Sequence, residues 1–146
     1  MSVNESFVDP YTYPGTRVLR NKLGIKDARI LGEVEYRTTW TRRQELQLDP
    51  PPPSFDLAHL QGIHFQLFQD LYDWAGELRT VELTKATSTF HPSSLLQEAA
   101  EHTFTWLAGS SLLKSPSESQ FTTEGAQLLG MPNYMHPFRE GNGDLQ

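Results

Sequence analysis

The sequence predicts an all-α domain with one small β-hairpin, and three observations carry that prediction. Apolar residues recur every three or four positions between Leu57 and Trp74. They alternate with polar ones between Leu78 and Thr84. Caps, prolines and glycines punctuate the chain where helices start and stop. With 37% hydrophobic residues, 8 Phe, 5 Tyr and 3 Trp in 146 positions, the chain can bury one core and reads as a single domain, residues 1–146.

Residues 1–26 form an N-terminal extended and short-helix segment. Asp9-Pro10-Tyr11-Thr12-Tyr13-Pro14-Gly15 is turn-like, because each proline pushes its predecessor out of the α region. Val18, Leu19 and Leu23 then allow a short helix that Gly24 ends. Asp27 is a good N-cap for a helix bearing Ile30, Leu31 and Val34 and running to Trp40 or Leu46, with Arg37, Arg42 and Arg43 on its wetter side. Pro50 to Pro53 make a stiff spacer without amide donors. Ser54 or Asp56 caps the next helix, which places Leu57, Leu60, Ile63, Leu67, Phe68, Leu71 and Trp74 on one face before Gly76 ends it. His59 and His64 are five apart rather than at the helical metal-pair spacing, and read as surface or boundary residues.

The alternation from Leu78 to Thr84 predicts a strand, with a turn at Lys85–Ser88 and a return at Thr89-Phe90. Ser94-Leu95-Leu96-Gln97 is a capping-box pattern opening a helix with Leu95, Leu96, Ala99, Ala100, Phe104 and Leu107 inward and an end by Gly109. Ser115-Pro116-Ser117-Glu118 announces another, interrupted by Gly125, Gly130 and Pro132.

Composition sets limits on function. A net charge of −6 gives no basic footprint for direct nucleic-acid binding. The chain has no cysteine, which excludes thiolate metal sites and fits a reducing, cytoplasmic setting. Met-Ser-Val-Asn-Glu-Ser is no secretory leader, and no apolar run is long enough to span a membrane.

The chemistry concentrates in residues 136–146. Gly141-Asn142-Gly143 can present consecutive backbone N–H groups, a nest suited to phosphate oxygens. His136 can take a proton near neutral pH, and Glu140 can hold the Mg2+ that accompanies a nucleotide. This combination points to phosphate-ester or nucleotidyl transfer.

His136-Pro-Phe-Arg-Glu-Gly-Asn-Gly143 resembles the signature of Fic-domain proteins, His-x-Phe-x-Asp/Glu-Gly-Asn-Gly-Arg. Asp9-Pro-Tyr-Thr-Tyr-Pro-Gly15, Leu19-Arg-Asn-Lys-Leu23 and Phe68-Gln-Asp-Leu-Tyr-Asp-Trp-Ala-Gly-Glu-Leu-Arg79 resemble the Fic toxins of bacterial toxin–antitoxin pairs. The resemblance implies a helical bundle with a β-hairpin flap. It implies transfer of AMP from ATP, with Mg2+, to a hydroxyl side chain of a target protein, and a separate small antitoxin as partner. It implies that His136 is the general base, Phe138 a core anchor and Glu140 the metal ligand. Gly141, Asn142 and Gly143 would bind the phosphates. The flap from Val81 through Glu82, Leu83, Thr84 and Lys85 to Phe90 would align the target by strand addition.

Two departures accompany the resemblance. Asp144 stands where the signature has arginine, and a second arginine would fall past Gln146, so the chain resembles a C-terminally truncated member lacking the helices after the loop. At ~5 Å and an effective dielectric of about 20, each unit charge pair is worth roughly 3 kcal/mol, so the reversal weakens triphosphate binding. Two readings stay open: an active adenylyltransferase, and a catalytically inactive remnant acting as a protein-binding module.

Overall fold

In the computed structural model the chain is described over residues 7–85, 88–109, 117 and 135–142, without the side chains of Lys85 and Ser88. Among these residues it is mostly helical, with one two-stranded hairpin. Helix α1 spans Ala28–Leu48, and the Asp27 carboxylate caps it by accepting from the Arg29 and Ile30 amides. Helix α2 spans Leu57–Phe68, with Asp56 accepting from the His59 amide. Strands β1 (Thr84–Lys85) and β2 (Ser88–Thr89) pair antiparallel, Thr84 opposite Thr89. A 3-10 turn, Ser93–Leu95, leads into α3, Leu96–Gly109.

The main core lies between α1, α2 and the turns after α2. Leu19, Leu31, Leu67, Phe68, Leu71, Tyr72 and Ala75 are buried together there, with Val34, Ile63 and Trp74 packed against them. The Tyr72 hydroxyl bonds to the Glu35 carboxylate, joining the α2 turns to α1. Arg42 of α1 holds Asp70 through two bonds of 2.8 Å.

Four expectations need correction. No helix forms over Val18–Leu23. Instead Thr12 and Leu19 make an antiparallel bridge, and the Asn21 side chain ties Leu19 to Ile25. Helix α2 stops at Phe68 rather than Gly76, because the carbonyls that would continue it are taken by Lys22: its ammonium bonds the Gln69 carbonyl, and its amide that of Leu71, each at 2.8 Å. The apolar run therefore continues as turns that still face the core.

Leu78–Leu83 is not a strand, and the chain bends at Thr80 and Val81. Its inward side is buried at Arg79 and Val81, and the Arg79 amide bonds Pro137 rather than a partner strand. The capping box at Ser94 does not form. Ser93 opens the 3-10 turn and gives its hydroxyl to Glu82, which leaves Leu95 46% exposed. Apart from Ser117, the helix expected after Ser115, and its interruptions at Gly125, Gly130 and Pro132, lie outside the described residues, as do Gly143, Asp144 and Gln146.

Candidate functional site

Residues 135–142 form a loop pinned from two sides. Phe138 is wholly buried, as an anchor should be, and its ring stacks on His64 with centroids 3.9 Å apart. The Asn142 carboxamide closes the loop on itself. Its Oδ1 accepts from the Phe138 amide and its Nδ2 donates to the Phe138 carbonyl, both at 2.8 Å. Gly141 adopts φ +78° and lies directly over the Phe68 ring. A side chain fits there neither sterically nor conformationally.

His64 is buried, which corrects its reading as a surface or boundary residue. The Gly76 amide donates to its Nδ1 at 2.8 Å, so the proton sits on Nε2, which donates to the Glu140 carbonyl at 2.9 Å. One neutral imidazole thus joins α2, the Gly76 turn and the loop. Burial pulls its pKa down to about 4, only partly opposed by the bond to Glu140.

Arg79 holds the other half of the loop. Its side chain is 2% exposed and bonds four backbone carbonyls. Nε donates to His136 at 2.6 Å, and the terminal nitrogens donate to Val81 at 2.8 Å, to Met135 at 3.0 Å and to His91. Burial lowers its pKa from the ordinary arginine value, with Glu82 opposing.

His136 has φ +43°, a left-handed conformation that costs a non-glycine residue about 1–2 kcal/mol. Its imidazole stacks on Phe90 with centroids 3.7 Å apart. Glu140 is exposed, and its Oε1 accepts from the Gly141 amide at 3.3 Å. Arg139 turns away to the N-terminal segment, donating to Asp9 at 2.7 Å.

The expected site residues therefore divide. His136, Glu140, Gly141 and Asn142 share one loop, and Phe90 of the flap touches His136. The Asn142 side chain is committed to the loop, so only its backbone is left to face a phosphate. Gly143 lies outside the described residues. Elsewhere in the flap, the Val81 carbonyl belongs to Arg79, the Leu83 carbonyl accepts from the Phe90 amide, and Thr84 pairs with Thr89. The Glu82 carboxylate binds the amide and hydroxyl of Ser93, which lowers its pKa.

Among the described residues no cluster of three His, Asp or Glu could hold a metal. The single open carboxylate of Glu140 fits Mg2+ only as a nucleotide-borne ion, which takes one or two carboxylates and fills its remaining positions with phosphate and water. Nor is any described helix long and apolar enough to cross a membrane.

Comparison with known proteins places this geometry. Residues 54–146 match the family described as Fic/DOC. The chain is 38% identical over 135 residues to the protein adenylyltransferase VbhT of Bartonella schoenbuchensis, covering 92% of this chain and 28% of that protein. It is 36% identical to the probable protein adenylyltransferase y4lH of Sinorhizobium fredii, covering 94% and 71%. The N-terminal Fic domain of a Bartonella effector protein from Bartonella sp. AR 15-3 superposes with a TM-score of 0.87 at 30% identity, covering 93% of this chain and 67% of that one. The BepC protein of Bartonella tribocorum, solved with bound AMPPNP, gives 0.83 at 29%, covering 92% and 71%.

Proposed function

The chain belongs to the Fic/DOC family, and on that basis we propose that it transfers AMP from ATP to a hydroxyl side chain of a target protein. The observation that carries the reading is the loop from His136 to Asn142, held with His136 in a left-handed backbone beside the Gly141 turn and the open Glu140 carboxylate. The adenylyltransferase names of its relatives, and the AMPPNP bound by BepC, support it.

In this reading the target hydroxyl oxygen attacks the α-phosphorus. His136 accepts the hydroxyl proton, the bond between the α-phosphorus and its bridging oxygen to the β-phosphate breaks, and pyrophosphate leaves. Backbone N–H groups of Asn142 and Gly143, and that of Gly141 once the Glu140 carboxylate turns from it toward Mg2+, cradle the α- and β-phosphates. Glu140 holds Mg2+, which neutralises phosphate charge when bound. The flap, Val81 to Phe90, offers strand-like backbone to the target segment. ATP chemistry and a chain without cysteine suit the cytoplasm. A toxin role with a small antitoxin partner completes the proposal. It predicts growth arrest on expression, lost in His136→Ala.

The test is incubation with Mg2+ and ATP labelled on the α-phosphate, followed by peptide mapping. Label on a hydroxyl residue, absent with His136→Ala, supports the proposal; a folded sample that transfers none contradicts it. One observation favours a second reading, a protein-binding domain without turnover: Asp144 carries negative charge where the signature has arginine. Calorimetry separates the two, since that reading predicts no ATP binding with or without Mg2+.

A further inference from the structure

We propose that Arg79 is a positioning residue for His136, setting the general base separately from the phosphate-holding half of the same loop. This rests on the reading of His136 as the base. Residue 79 bonds three consecutive loop carbonyls: its side chain takes Met135 and His136, and its amide takes Pro137 at 2.9 Å. Three amide planes fixed in sequence leave the His136 backbone no freedom to relax from φ +43°.

The same guanidinium bonds the carbonyls of Val81 and His91, which flank the hairpin. That hairpin delivers Phe90, whose ring stacks on the His136 imidazole. Arg79 thus fixes both the backbone that carries the imidazole and the segment that lies against it.

The phosphate half has other anchors. His64 holds the Glu140 carbonyl, Asn142 holds Phe138, Phe68 underlies Gly141 and Asp9 holds Arg139. Among the described residues, no hydrogen bond from Arg79 reaches 138–142. A planar fork of five donors can address carbonyls of three segments at once. An ammonium has three donors on one atom and cannot span the four carbonyls, so the conservative Arg79→Lys change keeps charge and loses the clamp.

The experiment compares the full chain with Arg79→Lys and Arg79→Gln in AMP transfer. Turnover is counted per ATP-binding site titrated by calorimetry, so unfolded protein does not enter. The expected result is a fall in kcat of about 100-fold with KM for ATP within about twofold. His64→Gln should do the reverse, raising KM for ATP. An unchanged kcat per site, or kcat and KM moving together in the Arg79 variants, overturns the proposal.

A second arm needs no turnover. In wild-type protein labelled with 15N, the Arg79 Nε–H should be protected from solvent exchange, and in the folded variants the His136 ring signals should move. Rapid Nε–H exchange in the wild type, or unmoved ring signals, also overturns it. Wild-type protein that binds ATP and transfers nothing sinks the functional reading instead, and the positioning claim is then decided by the spectroscopic arm.

Discussion

A Cβ built on Gly141 would lie 2.3 Å from Cζ of Phe68 and 2.4 Å from Cε2, far inside van der Waals contact. The backbone there is also left-handed, at φ +78°. Gly141→Ala is therefore expected to destabilise the fold by roughly 2–5 kcal/mol in urea denaturation, overpacking and backbone strain adding together. Phe68→Leu in the same chain should relieve the steric part and leave the conformational part. His64 makes a second residue-scale prediction. Its folded pKa of about 4 lies below the ordinary 6.5, so between those values the unfolded chain binds a proton that the folded chain refuses. Stability from this residue is complete above about pH 6.5 and is lost as pH falls toward 4, by about 3 kcal/mol. Comparing urea midpoints across that range with those of His64→Gln should show a shallower slope in the variant.

At the scale of elements, the site depends on segments that end where their neighbours require. Helix α2 yields to turns at Phe68 because Lys22 takes the next carbonyls, and those turns bring Gly76 to His64 and Arg79 to the loop. Arg42 fastens α1 to the same corner through Asp70, which holds the Asp70 carboxyl below its ordinary pKa. Both side chains are partly exposed, so solvent screens the pair. A double-mutant cycle with Arg42→Met and Asp70→Asn should give a coupling of about 1 kcal/mol, read from thermal unfolding. Phe90→Ala should cost the fold only about 1 kcal/mol, the ring being half-buried, while slowing AMP transfer by removing the face against which the His136 ring packs.

For the whole molecule, the helices at Asp27 and Asp56 were legible because a cap followed by helical periodicity is local information. The loop was legible as a motif, since glycines around an asparagine allow the left-handed, closely approachable backbone that a phosphate nest needs. The ties that hold it were not, because Arg79 meets Met135 and His64 meets Glu140 across 56 and 76 positions of sequence. Signals for both were nonetheless present. Arg79 falls on the apolar side of the alternation with Val81 and Leu83, and His64 shares a helix face with Leu60, Leu67 and Phe68. A charged or polar residue on an apolar face is a buried residue with a task. The spatial result is one loop with its His136 end fixed by Arg79 and its Gly141 end by His64, Asn142 and Phe68.

The central claim is adenylyl transfer at that loop, and ATP labelled on either the α- or the γ-phosphate tests it most directly. With Mg2+ and the target, the α-label should pass to protein, the γ-label should leave with pyrophosphate, and both should stay on ATP in His136→Ala. Transfer of the γ-label to protein, or α-label transfer that survives His136→Ala, would contradict the account.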